Sequence, residues 1–263
     1  MVKYEPSKWN DNPNITQSHN CYSYFLNKIS PVEEFRCKSL KDSQNQLIEN
    51  GDINNKLHNA SCNTPQPGYA KGLSERVYKQ TRKKRTATGF RYKCSNVLPR
   101  IRKDNPDIKF LGNSREAFYQ KCPENYFKGA VATTSPESWK HSDYHFYRQD
   151  DNGLWSHKDG KNPAKNVDAK GNVIVDPYLA DRNYKRNKYT EFCSYFCVPN
   201  DTEGLQMSSL NKVQSSRKGV QTRKKKKPKG KGVKSKSKSK SKSKSKSKSK
   251  SKSKSKSKTQ RKK

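Results

Sequence analysis

Cys21 stands directly behind Asn20 in the segment SHNCYSYFLNKIS, residues 18–30. A thiol hydrolase needs a thiolate nucleophile, a histidine that takes and returns its proton, and a polar group that orients that histidine. Asparagine is a good helix N-cap, so Asn20 predicts a helix starting at Cys21. The free amides and dipole of a helix N-terminus favour an anion, which makes Cys21 the cysteine best placed for nucleophilic work. The histidines are His19, His58, His141, His145 and His157. His19 is too near Cys21 in sequence to be aimed well at it, and His58 lies in a polar run. His145 and His157 fall in DYHFYRQDDNGLWSHK, residues 143–158, which reads as a hairpin of two aromatic-rich runs around a loop ending in Asn-Gly.

Side chains alternate along a strand, so the loop decides whether His145 and His157 share a face. A five-residue loop over residues 149–153 sets the two directly across from each other. A three-residue loop over residues 151–153 also keeps them on one face. A two-residue turn at Asn152 and Gly153 sends them to opposite faces. Asp168 and Asp176 are turn formers by type and stand in reserve for orienting His145. Zinc competes for the same histidines: Cys193, Cys197, His145 and His157 would make a Cys₂His₂ set, although its spacing is looser than the usual close pairs. The first expectation is therefore a site without metal or other cofactor. Glycine-rich phosphate loops and zinc-finger spacing are absent from the sequence, which argues against kinase, dinucleotide-binding and finger functions.

The elements that must position these residues are legible in outline. Residues 1–14 read as a polar leader without the apolar segment of a secretory signal. Pro31 is expected to end the helix that begins at Cys21. NTPQPGYAKG, residues 63–72, is a turn-rich connector, and residues 114–122 read as a short helix with Ser114 as its cap. Residues 128–135 read as a strand, residues 166–177 as a turn with a short β-branched run, and residues 189–199 as a closing strand. Trp139 and Trp155 are core candidates. Helices precede strands, which gives an α+β class: one globular domain over residues 15–200, a basic linker over 201–233 and a Lys-Ser repeat tail over 234–263. No run approaches the roughly 18 apolar residues of a membrane helix.

Charge is the most uneven property of the chain. Its formal net charge is +36, and 25 of its 59 Lys and Arg residues lie in residues 217–263, which hold no acidic residue. Such a segment cannot bury apolar area and repels itself, so it is expected to be disordered. Polycations bind nucleic acid by releasing condensed counterions, without sequence preference and with steep salt dependence. Arg217, Lys218, Arg223, Lys224, Lys225, Lys226, Lys227, Lys234, Lys236, Lys238, Lys240, Arg261, Lys262 and Lys263 are representative contacts for DNA or RNA. The tail has no aromatic residue and cannot stack bases. The seven cysteines are odd in number and form no tight framework, which argues against a disulfide scaffold and for reduced thiols in an intracellular setting.

The blocks NCYSY, PQPG, DYHFYR, NGLWSHK, NVDAKGNVIVDP and FCSYFC together resemble papain-like thiol hydrolase domains carried by bacteria and large DNA viruses. The order of cysteine, strand histidine and polar residue on the next strand is similar to the NlpC/P60 peptidases and amidases. The resemblance spans residues 17–199 in scattered blocks. It implies a papain-like fold and a cysteine peptidase or amidase, with Cys21 as nucleophile, His145 as general base and His157 orienting it. Asn20 or Gln17 would then assist an oxyanion hole, and a virion or viral factory would be the working place. NlpC/P60 domains usually carry Asp-Cys-Ser-Gly at the nucleophile; Asn20-Cys21-Tyr22-Ser23 departs from it, which puts peptidoglycan-type specificity in doubt.

Overall fold

The computed structural model describes residues 2–52, 57, 59–71, 92–134, 142–184 and 187–210. The expectations for His58, Trp139, His141 and the basic tail from residue 211 onward lie outside the described residues. The helices are α1 (Ser7–Asn10), α2 (Pro13–Ser18), α3 (Cys21–Phe25), α4 (Pro31–Glu49), α5 (Cys94–Asp104) and α6 (Arg115–Tyr119). The strands are β1 (Lys109–Gly112), β2 (Tyr126–Thr133), β3 (Tyr144–Gln149), β4 (Trp155–Lys158), β5 (Ala164–Lys165), β6 (Asn183–Tyr184), β7 (Asn187–Lys188) and β8 (Glu191–Pro199). The order β1-β8-β2-β3-β4-β5 makes an antiparallel sheet, and β6 pairs with β7 beside it. The class is α+β, as the sequence indicates.

Local chemistry explains the helix starts. Asn20 accepts from the backbone of Tyr22 and Ser23 and caps α3; Ser114 does the same for α6 through Ala117. Pro31, expected to close a helix, opens one instead. It sits in the first turn of α4, where a missing N–H costs nothing, and Ser30 caps that helix by accepting from Glu33. Helix α3 ends at Phe25, with Asn27 in the left-handed region at φ 48°. Residues 2–14 of the expected leader belong to the body: Trp9 is fully buried and meets Tyr24 edge to face at 5.0 Å.

Both faces of the sheet are covered. On one, Tyr22, Phe25 and Leu26 of α3 pack with Val97 and Ile101 of α5 against Phe127, Val131, Tyr144, Phe146 and Phe196. On the other, Ala130, Ala132, Tyr147, Trp155, Tyr189 and Tyr195 form a second cluster. Gly129 lets α3 approach β2 closely: a Cβ there would lie 2.3 Å from Phe25 Cε2. Polar groups tie α3 to the hairpin. The Tyr24 hydroxyl pairs with Ser156 at 2.8 Å and accepts from Arg148 at 3.0 Å, and the buried Arg148 also bridges to Asp150 at 3.0 Å.

Disulfides join Cys37 to Cys62, Cys94 to Cys193 and Cys122 to Cys197, leaving Cys21 as the free thiol. These bonds overturn the expectation of reduced thiols. With it falls the intracellular, reducing placement, virion or viral factory included, because disulfides of this kind form and persist in oxidising surroundings. Their spans of 25, 99 and 75 residues hide them from any short-range cysteine pattern. Among the described residues, no helix is long and apolar enough to cross a membrane.

Candidate functional site

The hairpin pairs Tyr147 with His157 and Gln149 with Trp155, and Asp150 N–H donates to the Leu154 carbonyl. This is the register of the three-residue loop, so His145 and His157 share a face as diagonal neighbours. Their rings meet edge to face with centroids 4.7 Å apart, and His145 Nε2 lies 2.7 Å from His157 Nδ1. His157 Nε2 lies 2.9 Å from the Val167 carbonyl oxygen. A carbonyl only accepts, so His157 carries its proton on Nε2. Its bare Nδ1 then accepts from His145 Nε2–H, which leaves Nδ1 as the basic atom of His145.

Cys21 and His145 line one cleft of about 260 Å³, together with Thr64, Gln66, Asp143, Asp159 and Tyr189. The cleft opens at the start of β3, where the two faces of the sheet meet. Cys21 and Tyr144 reach it from the α3 side, and His145, stacked on Tyr189 at 5.0 Å, from the other. Cys21 Sγ donates weakly to the carbonyl of Tyr144, the residue before His145, at 3.9 Å. Segment 62–66 forms one wall. Asn20 Nδ2 donates to the Pro65 carbonyl at 2.8 Å, Tyr144 Oη donates to Gln66 Oε1 at 2.7 Å, and Lys161 Nζ donates to the Cys62 carbonyl at 2.7 Å. The Cys37–Cys62 bond anchors that wall to α4.

The electrostatics differ from a thiolate poised by a helix dipole. Burial pushes the Cys21 thiol well above its ordinary range, Asp143 and Asp159 add to the rise, and Lys158 opposes it. Moreover, the amides of Tyr22 and Ser23 are spent on the Asn20 cap. Lys158 is fully buried and donates to the carbonyls of Thr16, His19 and Gly160, each at 2.8 Å; burial brings it down to about 8. His145 and His157 are both lowered to about 3, chiefly by burial, so the resting site is a neutral thiol beside neutral imidazoles.

The other candidates have other work. Asn20 is a cap and a tether, and Gln17 lies on α2 away from the cleft lining. Asp168 accepts from the amides of Lys170, Asn172 and Asp181, and Asp176 accepts from Tyr178 N–H and the Tyr195 hydroxyl, so both hold loops. The alternative zinc set is excluded because Cys193 and Cys197 are consumed by disulfides. Among the described residues, no group of three or more His, Cys, Asp or Glu side chains could hold a metal ion. His19 accepts from Ser30 N–H through Nε2 at 2.9 Å and is structural. Gln66, Asp143, Asp159 and Lys158 are site residues that the sequence did not single out; only the fold brings them to Cys21.

Burial also lowers His19, to about 4. Above pH ~6.5 all three histidines are neutral whether folded or unfolded. Below it the unfolded chain takes up protons that the folded chain refuses, so stability falls with pH, by on the order of 1 kcal/mol per histidine per pH unit. Asp104, Asp143 and Asp150 are raised by burial and act in the opposite sense near the carboxylate range. Urea midpoints are therefore expected to fall most steeply between about pH 6.5 and 5. A flat profile there would contradict neutral, buried imidazoles.

No family model matches the chain, and no solved structure matches it. It is similar to the insoluble matrix shell protein 1 of Ruditapes philippinarum, with 47% identity over 60 residues. The match spans 23% of this chain and 38% of that protein.

Proposed function

We propose that the body is a thiol hydrolase of the papain-like, NlpC/P60-like kind that cleaves amide bonds through Cys21. The bond to His157 from His145, which lines the same cleft as Cys21, carries this proposal. As the carbonyl carbon of a substrate approaches Sγ, the thiol proton passes to His145 Nδ1, and the imidazolium is held by His157 and, through it, by Val167. Neutral partners at rest suit such a step, because charge separates only when substrate has displaced water from the cleft. Three disulfides and the similarity to a shell matrix protein support an extracellular working place. The test is acylation by p-nitrophenyl acetate followed by peptide mapping. The acetyl group is expected on Cys21 in the wild type, above the background on lysines that Cys21→Ser also shows; a wild type that releases nitrophenolate no faster than Cys21→Ser ends the proposal.

A second reading concerns the tail. Its charge supports a sequence-independent hold on polyanions, nucleic acid included. Affinity for a DNA duplex is expected to fall steeply as salt rises, and an affinity that is flat across salt would refute it.

A further inference from the structure

Beyond hydrolysis, and resting on the thiol-hydrolase proposal for its nucleophile, we infer that the Cys21 cleft is built for transamidation. It joins a carboxamide side chain to a lysine ε-amine, and the chain's own basic tail is an amine donor. Three observations lead there.

The first is space. The cleft measures about 260 Å³ and leaves Cys21 only 4% exposed. A slender, flexible side chain ending in a carboxamide fits a cleft of this volume and reaches a thiol so buried more readily than a backbone segment does. A buried thiol also meets little water, and water is what an acyl-enzyme must exclude if an amine is to take the acyl group.

The second is charge. Asp143 and Asp159 line the same cleft. Asp143 Oδ2 is fixed by the Tyr189 hydroxyl at 2.9 Å and Asn187 Nδ2 at 2.8 Å. Lys161 also lines the cleft, but its ammonium is turned onto the Cys62 carbonyl. Buried Lys158 spends its three N–H groups on carbonyls. Lys158 and Lys161 keep their charge and offset part of this field, and the carboxylates of Asp143 and Asp159 are the groups in the cleft that an incoming lysine ammonium can meet.

The third is supply. Residues 217–263 hold 22 lysines and no acidic residue. A second copy of this chain therefore carries many candidate amines.

The chemistry balances without a redox partner. Sγ adds to the carboxamide carbon, its proton passes by way of His145 to the departing nitrogen, the C–N bond breaks and ammonia leaves a thioester. A lysine ammonium sheds one proton to solvent. Its nitrogen then attacks the thioester carbon, the new C–N bond forms as the C–S bond breaks, and the second amine proton returns through His145 to Sγ. The sum is carboxamide plus lysine giving isopeptide plus ammonia.

The experiment offers the full-length oxidised protein a glutamine-bearing casein, its own lysines blocked by methylation, and dansylcadaverine as the amine. Wild type is expected to fix the dansyl group covalently to casein, at least 100-fold faster than Cys21→Ser. Without added amine, tandem mass spectrometry is expected to find isopeptides on lysines between Lys234 and Lys258. Near-ultraviolet dichroism of Cys21→Ser serves as the fold control. Deamidation or hydrolysis at casein that depends on Cys21 but fixes no amine overturns the transamidation while leaving the hydrolase standing. Absence of every Cys21-dependent change overturns both.

Discussion

Reducing the disulfides is expected to unfold the body at physiological temperature. The Cys94–Cys193 bond closes 99 residues and fastens α5 to β8, a strand paired on both sides by β1 and β2. Chain entropy alone assigns such a loop about 4.7 kcal/mol. The 75-residue Cys122–Cys197 loop and the 25-residue Cys37–Cys62 loop come to about 4.5 and 3.5 kcal/mol by the same relation. The first two loops overlap, so their contributions do not add in full. Even so, their combined effect is comparable with the roughly 5–15 kcal/mol that holds a whole domain folded. Replacing Cys94 and Cys193 together by serine should lower the melting temperature by roughly 10–18 °C, at about 2–4 °C per kcal/mol for a body of this size. Thermal melts with and without reductant check both statements. A reduced chain that melts where the oxidised one does would show that these bonds are not what holds α5 to the sheet.

His145→Ala is expected to slow acylation of Cys21 by roughly 10²–10⁴-fold, the usual worth of a positioned general base. His157 acts through His145, and its substitutions should separate accordingly. In His157→Ala the Nε2–H of His145 loses its acceptor, the proton is free to move to Nδ1, and the base is blocked; a loss of about 10–100-fold is expected, as for other supporting groups. His157→Gln supplies a carbonyl oxygen to the same N–H and should recover most of that loss. A purely structural role for His157 would not produce this order, because glutamine does not refill the imidazole's packing against Tyr147 and Tyr184. Equal rates for His157→Ala and His157→Gln, or a wild-type rate for His145→Ala, would remove the histidines from the chemistry.

Much of this site could be seen in the sequence because the determinants are local. Asn20 caps its own helix, and the Asn-Gly loop makes the hairpin, whose aromatic runs alternate as strands must. What stayed hidden depends on distant partners. Helix α4 is polar and half exposed, so no apolar stripe announces it, and Pro31 is equally at home after one helix and in the first turn of the next. The raised Cys21 thiol needs β3 packed above α3, and the helix amides that would have lowered it are taken by the residue that predicted the helix. Cysteine pairing over 75 and 99 residues is a property of the folded sheet, in which β8 lies between β1 and β2 and not at an edge.

The tether between Cys37 and Cys62 makes one wall of the cleft answer to redox conditions. Thr64 and Gln66 line the cleft on the segment that this bond fastens to α4, and the hydrogen bonds of Asn20, Tyr144 and Lys161 hold the same segment. Reductant therefore removes one anchor of that wall without touching Cys21 or the two imidazoles.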